Sequence, residues 1–434
     1  MRIAVIGTGY LGAVHAAGMA ELGYEVVGVD VDEAKIESLQ NASMPFYEPD
    51  FEPLLRKHVG DRLTFTTDFA EVADADVHFI CVGTPQQHGS MAADMTYVDA
   101  AIDSILPFLK DGALVVGKST VPVGTAQRLA DRLHEVTPRD IDVDLAWNPE
   151  FLREGFAVED TLHPDRLVLG VTSDRAEDIL RGVYAKTIEE DNTPVVITNL
   201  PTAELVKVAA NSFLATKISF INAMSEICEI AGADVTKLAD AIGHDNRIGR
   251  KFLNAGVGFG GGCLPKDIRA FSARAGELGA AASLAFLAEV DAINLRRREH
   301  VVEMVRRELD GLAGRRVAVL GAAFKPNSDD VRDSPALAIA GQLHLSGAQV
   351  SVYDPKAMAN AAKVFPTLNY ADSVEAAVKD AEVVLHLTEW TDFRELDPAV
   401  IGESVASKVI IDGRNCLDVD AYRAAGWTYL GLGR

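Results

Sequence analysis

The first turn of the chain is the feature that most constrains its fold. Three glycines, Gly7, Gly9 and Gly12, form the run GTGYLG directly after the apolar strand pattern RIAVI and before a helical pattern. At such a turn the first glycine permits the tight bend, the second lets the backbone approach a pyrophosphate, and the third lets the helix pack closely on the strand. The start of the helix supplies unpaired N–H groups for the phosphates. The run therefore predicts a dinucleotide-binding β-turn-α unit.

An acidic residue completes this pattern. Asp30 lies 18 residues after Gly12, at the end of the strand pattern YEVVGVD. A carboxylate at this place accepts hydrogen bonds from a ribose 2′-hydroxyl and would repel the 2′-phosphate of NADP, so the predicted cofactor is NAD. The alternative is an ordinary glycine turn in which Asp30 caps the next helix.

Short apolar runs alternate with helical patterns through the first part of the chain, in RIAVIG, YEVVGVD, DVHFICVG, ALVVGKST and DLAWNPE. Strands that are buried on both faces and separated by helices indicate a parallel, doubly wound sheet, whose ligands bind at the carboxyl ends of the strands. A second α/β segment begins near Arg315 with RRVAVLG. Its first turn has Ala322, Ala323 and Phe324 after Gly321, so it lacks a complete glycine fingerprint.

The middle of the chain has a different pattern. The stretch AELVKVAANSFLATKISFINAMSEICEIAG carries apolar residues at three- and four-residue spacing, which predicts a long helix that starts near Pro201 and ends at Gly232. Such a helix forms a dimer interface or lies buried in a core, and both interpretations stay open. We predict an α/β protein with two doubly wound Rossmann-like domains, residues 1–200 and 301–434, joined by a central helical domain, residues 201–300.

Composition excludes several classes of protein. A length of 434 residues predicts roughly two to four domains. The longest apolar stretches are strand-sized, well below the roughly 20 residues of a transmembrane helix. The N-terminus enters a strand pattern without the features of a signal peptide, so we expect a cytoplasmic protein. A net charge of -23 disfavours nucleic acids and anionic membranes as partners.

Four cysteines, Cys81, Cys228, Cys263 and Cys416, are spread widely through the chain. They form no close pair, so we expect free thiols rather than disulfides, and no metal site. Cys263 differs from the others because the run GVGFGGGCLPKD surrounds it. Glycines are costly in backbone entropy and are kept mainly where a chain approaches a ligand closely. A cysteine in such a loop, near cationic side chains, could have its thiolate favoured; the alternative is a buried structural thiol.

Several runs of the chain match those of a known family in order and spacing. They are GTGYLG, CVGTP, KSTVPVGT, NPEFLREG, AELVKVAANSFLATKISFIN, RIGRKFLNAGVGFGGGCLPKD, FKPNSDDVRDSP, TEW and DGRN. On these runs the chain resembles the UDP-glucose 6-dehydrogenase family, within the wider UDP-glucose/GDP-mannose dehydrogenase group, over essentially its full length.

The resemblance implies an NAD-dependent enzyme that oxidises the 6-position alcohol of a sugar nucleotide to a carboxylate. Cys263 would capture the aldehyde as a thiohemiacetal, and a later thioester would be cleaved by water. The chain departs from the family pattern at Gly262, where Ser or His is usual, and at Leu264, where Phe is frequent. The run LPKD also occurs in GDP-mannose dehydrogenases, whereas ANSFLATKISFIN favours UDP-glucose. GDP-mannose and a UDP-N-acetylhexosamine remain alternative substrates.

The resemblance also implies catalytic partners for the cysteine. Lys207 would stabilise the alkoxide or move its proton, and Asn211 follows one helical turn later on the same face. Asp267 would orient a water or take part in proton transfer, although it also suits a helix cap. Glu150 resembles the general base for thioester hydrolysis. Thr120 resembles a hydroxyl that holds water or cofactor near the reacting carbon.

Binding residues are implied by the same resemblance. The residues expected to contact NAD are Gly7, Gly9, Tyr10, Leu11, Gly12, Asp30, Lys35, Thr84, Pro85, Thr120, Glu154, Lys266 and Arg332. Those expected to contact the nucleotide sugar are Glu150, Phe151, Leu152, Arg153, Glu154, Lys207, Asn211, Arg247, Asn254, Gly256, Gly258, Phe259, Gly260, Lys325 and Arg414. The glycine-rich amides would bind the pyrophosphate, and the second α/β domain would bind UDP.

Arg247 matches a family arginine that reaches into the substrate site of a neighbouring subunit, so the resemblance implies a homodimer. Two other functions stay open. A single-step hydroxyacid dehydrogenase would need no cysteine and would release one reduced cofactor per substrate. A catalytically silent sugar-nucleotide binding protein would need none of Cys263, Lys207 and Asp267.

Overall fold

The computed structural model describes residues 1–138 and 141–434. The chain folds as two compact units, residues 1–210 with 273–279, and residues 211–272 with 280–434. Each unit contains one sheet. The fold class expected from the sequence, α/β with a long central helix, is confirmed.

The first unit contains an eight-stranded sheet in the order β3-β2-β1-β4-β5-β6-β7-β8. Its strands are β1 Arg2–Ile6, β2 Glu25–Val29, β3 Leu63–Thr66, β4 Val77–Ile80, β5 Leu114–Gly117, β6 Asp144–Trp147, β7 Leu167–Gly170 and β8 Val195–Thr198. The helices that precede the long one are α1 Tyr10–Glu21, α2 Glu33–Gln40, α3 Phe51–His58, α4 Thr96–Ile105, α5 Thr125–Val136, α6 Ala157–Leu162, α7 Asp174–Val183 and α8 Ala185–Asp191. Strand order reverses between β1 and β4, which is where such sheets bind ligands.

The strands of the first sheet are buried on both faces, as the apolar runs predict. Alternate residues of β1 face opposite cores: Ile3 and Val5 belong to one apolar cluster, and Ala4 and Ile6 belong to the other. This arrangement requires helices on both sides of the sheet. The five strands that the sequence predicted, β1, β2, β4, β5 and β6, pair in parallel as expected. The sequence did not predict β7, which meets β6 as an antiparallel pair through Trp147 and Gly170. An antiparallel pair needs no crossover helix, so only the short α6 separates the two strands.

The second unit contains a six-stranded parallel sheet in the order β11-β10-β9-β12-β13-β14. Its strands are β9 Arg316–Leu320, β10 Gln349–Tyr353, β11 Asn369–Tyr370, β12 Val383–His386, β13 Val409–Asp412 and β14 Thr428–Gly431. Its helices after residue 310 are α13 Pro335–Leu345, α14 Met358–Val364, α15 Val374–Val378, α16 Thr391–Arg394, α17 Pro398–Ile401 and α18 Val419–Ala424. One continuous apolar core covers this sheet.

The remaining helices are α9 Leu200–Ala231, α10 Val235–Gly243, α11 Leu264–Glu277 and α12 Phe286–Glu308, and short 3-10 helices span Phe69–Val72, Leu106–Phe108 and Ala281–Leu284. The predicted limits of the long helix are confirmed. Pro201 lies in its first turn, where its missing N–H costs no hydrogen bond. Gly232 follows its last residue with a φ of +71°, a conformation that suits glycine. No helix within the described ranges is both long enough and apolar enough to cross a bilayer.

Candidate active site

The turn after β1 has the geometry that the glycine fingerprint requires. Gly7 has a φ of +88°. A Cβ on Gly12 would lie 1.8 Å from the carbonyl oxygen of Gly7, so only glycine allows α1 to start this close to the strand. A Cβ on Gly9 would meet no atom within 4 Å, and no side chain caps the start of α1. The turn therefore leaves room and N–H groups for a pyrophosphate.

Asp30, at the end of β2, is held beside this turn. Its Oδ2 accepts the backbone N–H of Thr8 at 2.8 Å and the Lys35 Nζ at 2.8 Å, and its Oδ1 accepts the N–H of Asp32 at 3.1 Å. Burial opposes ionisation, but Lys35 and the two backbone donors together hold the pKa of Asp30 below its ordinary value. The residue is therefore an ionised hydrogen-bond acceptor at pH 7, which fits a ribose hydroxyl.

Tyr10 and the segment NPEFLREG meet through a buried glutamate. The Tyr10 hydroxyl donates to Glu48, and burial, then Glu48, raise the pKa of Tyr10 above its ordinary value. Glu48 also accepts the N–H groups of Gly155 at 2.7 Å and Ala157 at 2.6 Å. Leu11 is half-buried and packs against one of the two apolar clusters that cover the first sheet. Glu154, beside Gly155, is buried.

The loops that follow β4 and β5 contact each other. The Thr84 hydroxyl donates to the Thr120 carbonyl at 2.8 Å, and Pro85 follows in the same loop. Glu204 of α9 accepts the N–H groups of Gly124 at 2.7 Å and Ala126 at 2.6 Å. The segment that contains Thr120 is thus fixed at both ends.

Glu150, which follows β6, has partners for both carboxylate oxygens. Its Oε1 accepts the N–H groups of Phe151 at 2.6 Å and Leu152 at 2.8 Å. Its Oε2 lies 3.2 Å from the Nζ of Lys118. The backbone and a buried ammonium therefore fix the orientation of this carboxylate.

Two cations contact the Phe151 ring. The Cζ of Arg166 lies 3.8 Å and the Nζ of Lys207 lies 5.4 Å from its centroid, both within range of a cation–π interaction. Lys207 is half-buried, not a fully solvated lysine. The Arg153 guanidinium forms two hydrogen bonds with Asp160, at 2.9 and 2.6 Å. The structure thus brings Lys207 to Phe151 and pairs Arg153 with α6.

Cys263 lies directly before the first residue of α11 and its side chain is exposed, so it is not the buried structural thiol that the sequence left open. The N–H of Asp267 donates to the Cys263 carbonyl at 2.9 Å in the first turn. The buried Asp267 carboxylate accepts the Asn211 amide at 2.6 Å and pairs with the Lys266 ammonium at 2.7 Å. A helix N-terminus favours the thiolate of a cysteine placed there.

The glycine-rich loop before Cys263 is held from α12. Asn294 is fully buried; its Oδ1 accepts the Phe259 N–H at 2.7 Å and its Nδ2 donates to the Phe259 carbonyl at 3.0 Å. A Cβ on Gly258, whose φ is +93°, would lie 2.3 Å from the Asn294 Oδ1. The N–H of Gly256 donates to Asn222 at 2.8 Å. The loop's shape therefore depends on glycines and two buried amides.

Two cationic residues that follow strands of the second sheet make contacts within the second unit. Arg414 donates to the carbonyls of Leu387 at 2.7 Å, Gly258 at 3.1 Å and Phe324 at 3.2 Å, and so ties the glycine-rich loop to the sheet. The Lys325 Nζ lies 5.3 Å from the Phe324 ring centroid. These placements keep positive charge at the carboxyl end of β9 and β13, where the sequence predicted it.

Three further predicted residues lie at the surface of the second unit. Arg332 forms hydrogen bonds with Asp330 at 3.0 and 2.8 Å. Arg247 has 89% of its side chain exposed and pairs with Asp245 at 2.6 Å. The exposed Asn254 accepts from Arg250 at 2.7 Å.

His386, Asp412 and Cys416 have their potential ligand atoms within 4.8 Å of one another. The Asp412 carboxylate already accepts the N–H groups of Arg414, Cys416 and Leu417 and the Tyr429 hydroxyl, and His386 contacts it at 2.8 Å. The lone pairs of the Asp412 carboxylate are therefore occupied. These hydrogen bonds shape the turn that carries Arg414.

Sequence reasoning missed Lys118, Glu48, Asn294 and Glu204. Lys118 lies within the quoted run KSTVPVGT, and a lysine directly after a buried strand was the available signal. The other three gave none, because their partners are distant in sequence; Glu48 and Gly155, for example, are 107 residues apart. Together, the glycine turn, Asp30 and the doubly wound sheets define a nucleotide-binding enzyme of the NAD-dependent dehydrogenase class.

Comparison with known proteins places the chain within this class. The NAD-binding domain of the UDP-glucose/GDP-mannose dehydrogenase family matches residues 1–188, its central domain matches residues 201–296, and its UDP-binding domain matches residues 318–419. The chain belongs to the UDP-glucose/GDP-mannose dehydrogenase family, and it is an oxidoreductase with an NAD-binding domain.

Individual relatives cover the whole chain. It is 43% identical to the UDP-glucose 6-dehydrogenase TuaD of Bacillus subtilis, over 100% of this chain and 93% of that protein. It is 41% identical to the UDP-glucose 6-dehydrogenase of Rhizobium meliloti, over 100% of both chains. A UDP-glucose dehydrogenase structure from Pyrobaculum islandicum has a TM-score of 0.90 at 38% identity, covering 100% of this chain and 97% of that one.

Proposed function

We propose that this protein oxidises UDP-glucose to UDP-glucuronate in two NAD-dependent steps, with Cys263 as covalent nucleophile. The observation that carries the proposal is the exposed thiol at the start of α11, one turn before the buried Asp267 that Asn211 and Lys266 contact. The full-length relatives named as UDP-glucose 6-dehydrogenases support the substrate.

The residues of the first turn fit NAD. Gly7, Gly9 and Gly12 would admit the pyrophosphate to the start of α1, and Asp30 would accept a ribose hydroxyl. When bound, NAD supplies the oxidant for each of the two steps. We include Tyr10, Leu11, Lys35, Thr84, Pro85, Thr120, Glu154, Lys266 and Arg332 in the proposed cofactor site on the family resemblance.

The protein's own groups divide the four-electron change into simpler steps. Lys207 holds or moves the proton of the 6-hydroxyl as the aldehyde forms. The Cys263 thiolate adds to the aldehyde carbon to give a thiohemiacetal, which is oxidised to a thioester. Water then cleaves the thioester, with Glu150 accepting a proton. A thiol suits both addition and departure better than a serine hydroxyl does.

A homodimer is part of the proposal. The helix α9 exposes Phe213, Phe220 and Ile227 at intervals of seven residues, and Ile230 one turn further. Large apolar side chains that repeat on one helix face favour packing against another chain. Arg247, which lies exposed in the same unit, would act in the partner's substrate site. The cytoplasmic location expected from the sequence stays a prediction.

One assay tests the reaction. Purified protein is incubated with NAD and a panel of UDP-glucose, GDP-mannose and UDP-N-acetylhexosamines, and NADH is counted per sugar consumed. Two NADH per UDP-glucose is the expected result. One NADH per sugar would indicate a single-step dehydrogenase, and none would indicate a binding protein. A structure of a UDP-D-ManNAc dehydrogenase from Pyrococcus horikoshii, 28% identical with a TM-score of 0.87, justifies the N-acetylated arm.

Replacement of the nucleophile tests the covalent route. Cys263→Ser should lower steady-state turnover at least about 100-fold, because the oxygen is a poor substitute for sulfur in both addition and departure. The buried Cys228→Ala is the matched control and should keep two NADH per sugar. Unchanged turnover in Cys263→Ser would refute the covalent mechanism.

A further inference from the structure

A buried lysine contacts the Glu150 carboxylate. Lys118 directly follows β5, and only 4% of its side chain is exposed. Its Nζ lies 3.2 Å from Glu150 Oε2, and it donates to Asn148 Oδ1 at 3.0 Å and to the Tyr184 hydroxyl at 3.4 Å. All four residues belong to the first unit.

The ammonium group is charged in this environment. Its three donors face three acceptors, which is the condition under which a buried charge is tolerated. Burial alone would lower the pKa of Lys118, but Tyr184 and Glu150 together raise it above its ordinary value. The Tyr184 hydroxyl donates to the same Asn148 oxygen at 2.7 Å, so two of the acceptors around the ammonium are also hydrogen-bonded to each other.

Lys118 completes the restraint on Glu150. Two backbone N–H groups hold Oε1, and the lysine holds Oε2, while 17% of the glutamate side chain stays exposed. The exposed part is thus presented in one orientation. Without the lysine, the side chain could turn about its last bond and lose that orientation.

We propose that Lys118 is a positioning residue that orients Glu150 for hydrolysis of the thioester. This inference rests on the proposed function. In the step it serves, the water oxygen bonds to the thioester carbon and the carbon–sulfur bond breaks. A proton from the water passes to Glu150, and the Cys263 sulfur leaves as a thiolate that is later protonated. No electrons are transferred, so no oxidant is needed.

The test uses Lys118→Met, which keeps the length of the side chain and removes its charge. Both oxidations should still occur, so an initial burst of two NADH per active site is retained. Steady-state turnover should fall about 10- to 100-fold, because small misplacements of a catalytic group have effects of this size. Intact-protein mass spectrometry should show an accumulated covalent adduct on Cys263, which a general loss of structure would not produce.

Matched variants separate positioning from folding. Lys110→Met removes a partly exposed lysine that pairs with Asp76 in the same unit, and it should leave both burst and turnover unchanged. Lys118→Arg keeps the charge and should recover part of the turnover lost in Lys118→Met. If Lys118→Met does not fold by circular dichroism, Tyr184→Phe, which removes one acceptor of the ammonium, should still slow turnover and accumulate adduct.

Glu150→Gln distinguishes failure of this inference from failure of the proposed function. If Glu150→Gln accumulates the adduct and a folded Lys118→Met does not, Lys118 has no positioning role and the proposed function stands. If neither variant accumulates adduct, or if adduct persists in Cys263→Ala, which has no nucleophilic atom at this position, the thioester route itself is wrong and the inference falls with it. The positioning role of Lys118 is supported if both Lys118→Met and Glu150→Gln accumulate the adduct and the double variant is no slower than Glu150→Gln alone.

Discussion

The two sheets share one strand order around their first strand but differ in the segment that leads from this strand to the next helix. After β1 the chain turns at Gly7 and enters α1 at Tyr10. After β9, which ends at Leu320, the next helix begins only at Pro335. A helix N-terminus directly after the first strand, the arrangement that suits a pyrophosphate, is therefore present at one turn and absent from the other. Similar topology thus does not give a similar ligand site.

The two corresponding aspartates show the same contrast. In the described parts of the chain, the Oδ1 of Asp30 accepts only one hydrogen bond, from the N–H of Asp32. Asp354, which follows β10, has both oxygens occupied: Oδ2 accepts the N–H groups of Ala322 and Ala323 and the Trp390 indole, and Oδ1 accepts those of Lys356 and Ala357. Asp30 can therefore accept a hydrogen bond from a ligand, whereas Asp354 is fully used by donors of its own unit.

The largest expected effect comes from Gly12→Ala. The new Cβ would lie 1.8 Å from the Gly7 carbonyl oxygen, so α1 must move away from β1. We expect the free energy of unfolding to fall by about 3 kcal/mol, at the upper end for overpacking, and NAD binding to be lost. Urea unfolding and NAD titration measure both. Gly276→Ala on α11, where a Cβ meets no atom within 4 Å, is the control, and equal stability of the two variants would contradict the prediction.

Asp354→Asn should lower the free energy of unfolding by about 2 kcal/mol, because an amide cannot accept all five donors of this buried carboxylate. The affinity for NAD should not change, because Asp354 belongs to the second unit. Tryptophan fluorescence during urea unfolding reports the loss. A weakened NAD affinity with normal stability would reverse the roles given to the two aspartates.

Asp30→Ala should act on the ligand instead. We expect the dissociation constant for NAD to rise about 10-fold, corresponding to about 1.4 kcal/mol. The preference for NAD over NADP should fall, because the repelling carboxylate is gone. Titrations with both cofactors measure the change. An unaltered ratio of the two affinities would show that Asp30 does not select the cofactor.

The fourth strand of each sheet carries a buried histidine. On β12, His386 contacts Asp412 at 2.8 Å. On β4, burial lowers the pKa of His78 to about 4. The folded protein thus keeps His78 neutral while the unfolded chain gains a proton below pH 6.5, so stability is full above that pH and falls as the pH drops toward 4.

His78→Leu should remove this part of the acid sensitivity. Between pH 7.5 and pH 5.5 the wild-type protein should lose about 1 kcal/mol of stability more than the variant does. Urea unfolding at the two pH values gives the difference. His88→Leu, in an exposed loop, should lose as much as the wild type. Equal losses in the wild type and His78→Leu would mean that His78 is protonated in the folded state.

Much of the fold could be predicted from local patterns. The glycine run, the apolar strands and the limits of α9 at Pro201 and Gly232 depend on the backbone preferences of neighbouring residues, and the structure confirms them. The antiparallel pairing of β6 with β7 could not, because strand direction depends on the path of the chain between the strands. The residues that orient Glu150 and the loop before Cys263 were also beyond local patterns.

The sequence by itself determined the class of fold, the glycine-rich turn after β1 with Asp30 at the end of β2, and Cys263 as an exceptional cysteine. Only the tertiary structure decided that Cys263 is exposed at a helix start, that Lys118 contacts Glu150, and that Asp354 is occupied by its own backbone. The physical reason is the distance along the chain over which each interaction acts. Turn and helix preferences act between close neighbours in the chain, whereas burial and charge pairing depend on residues that only folding brings together.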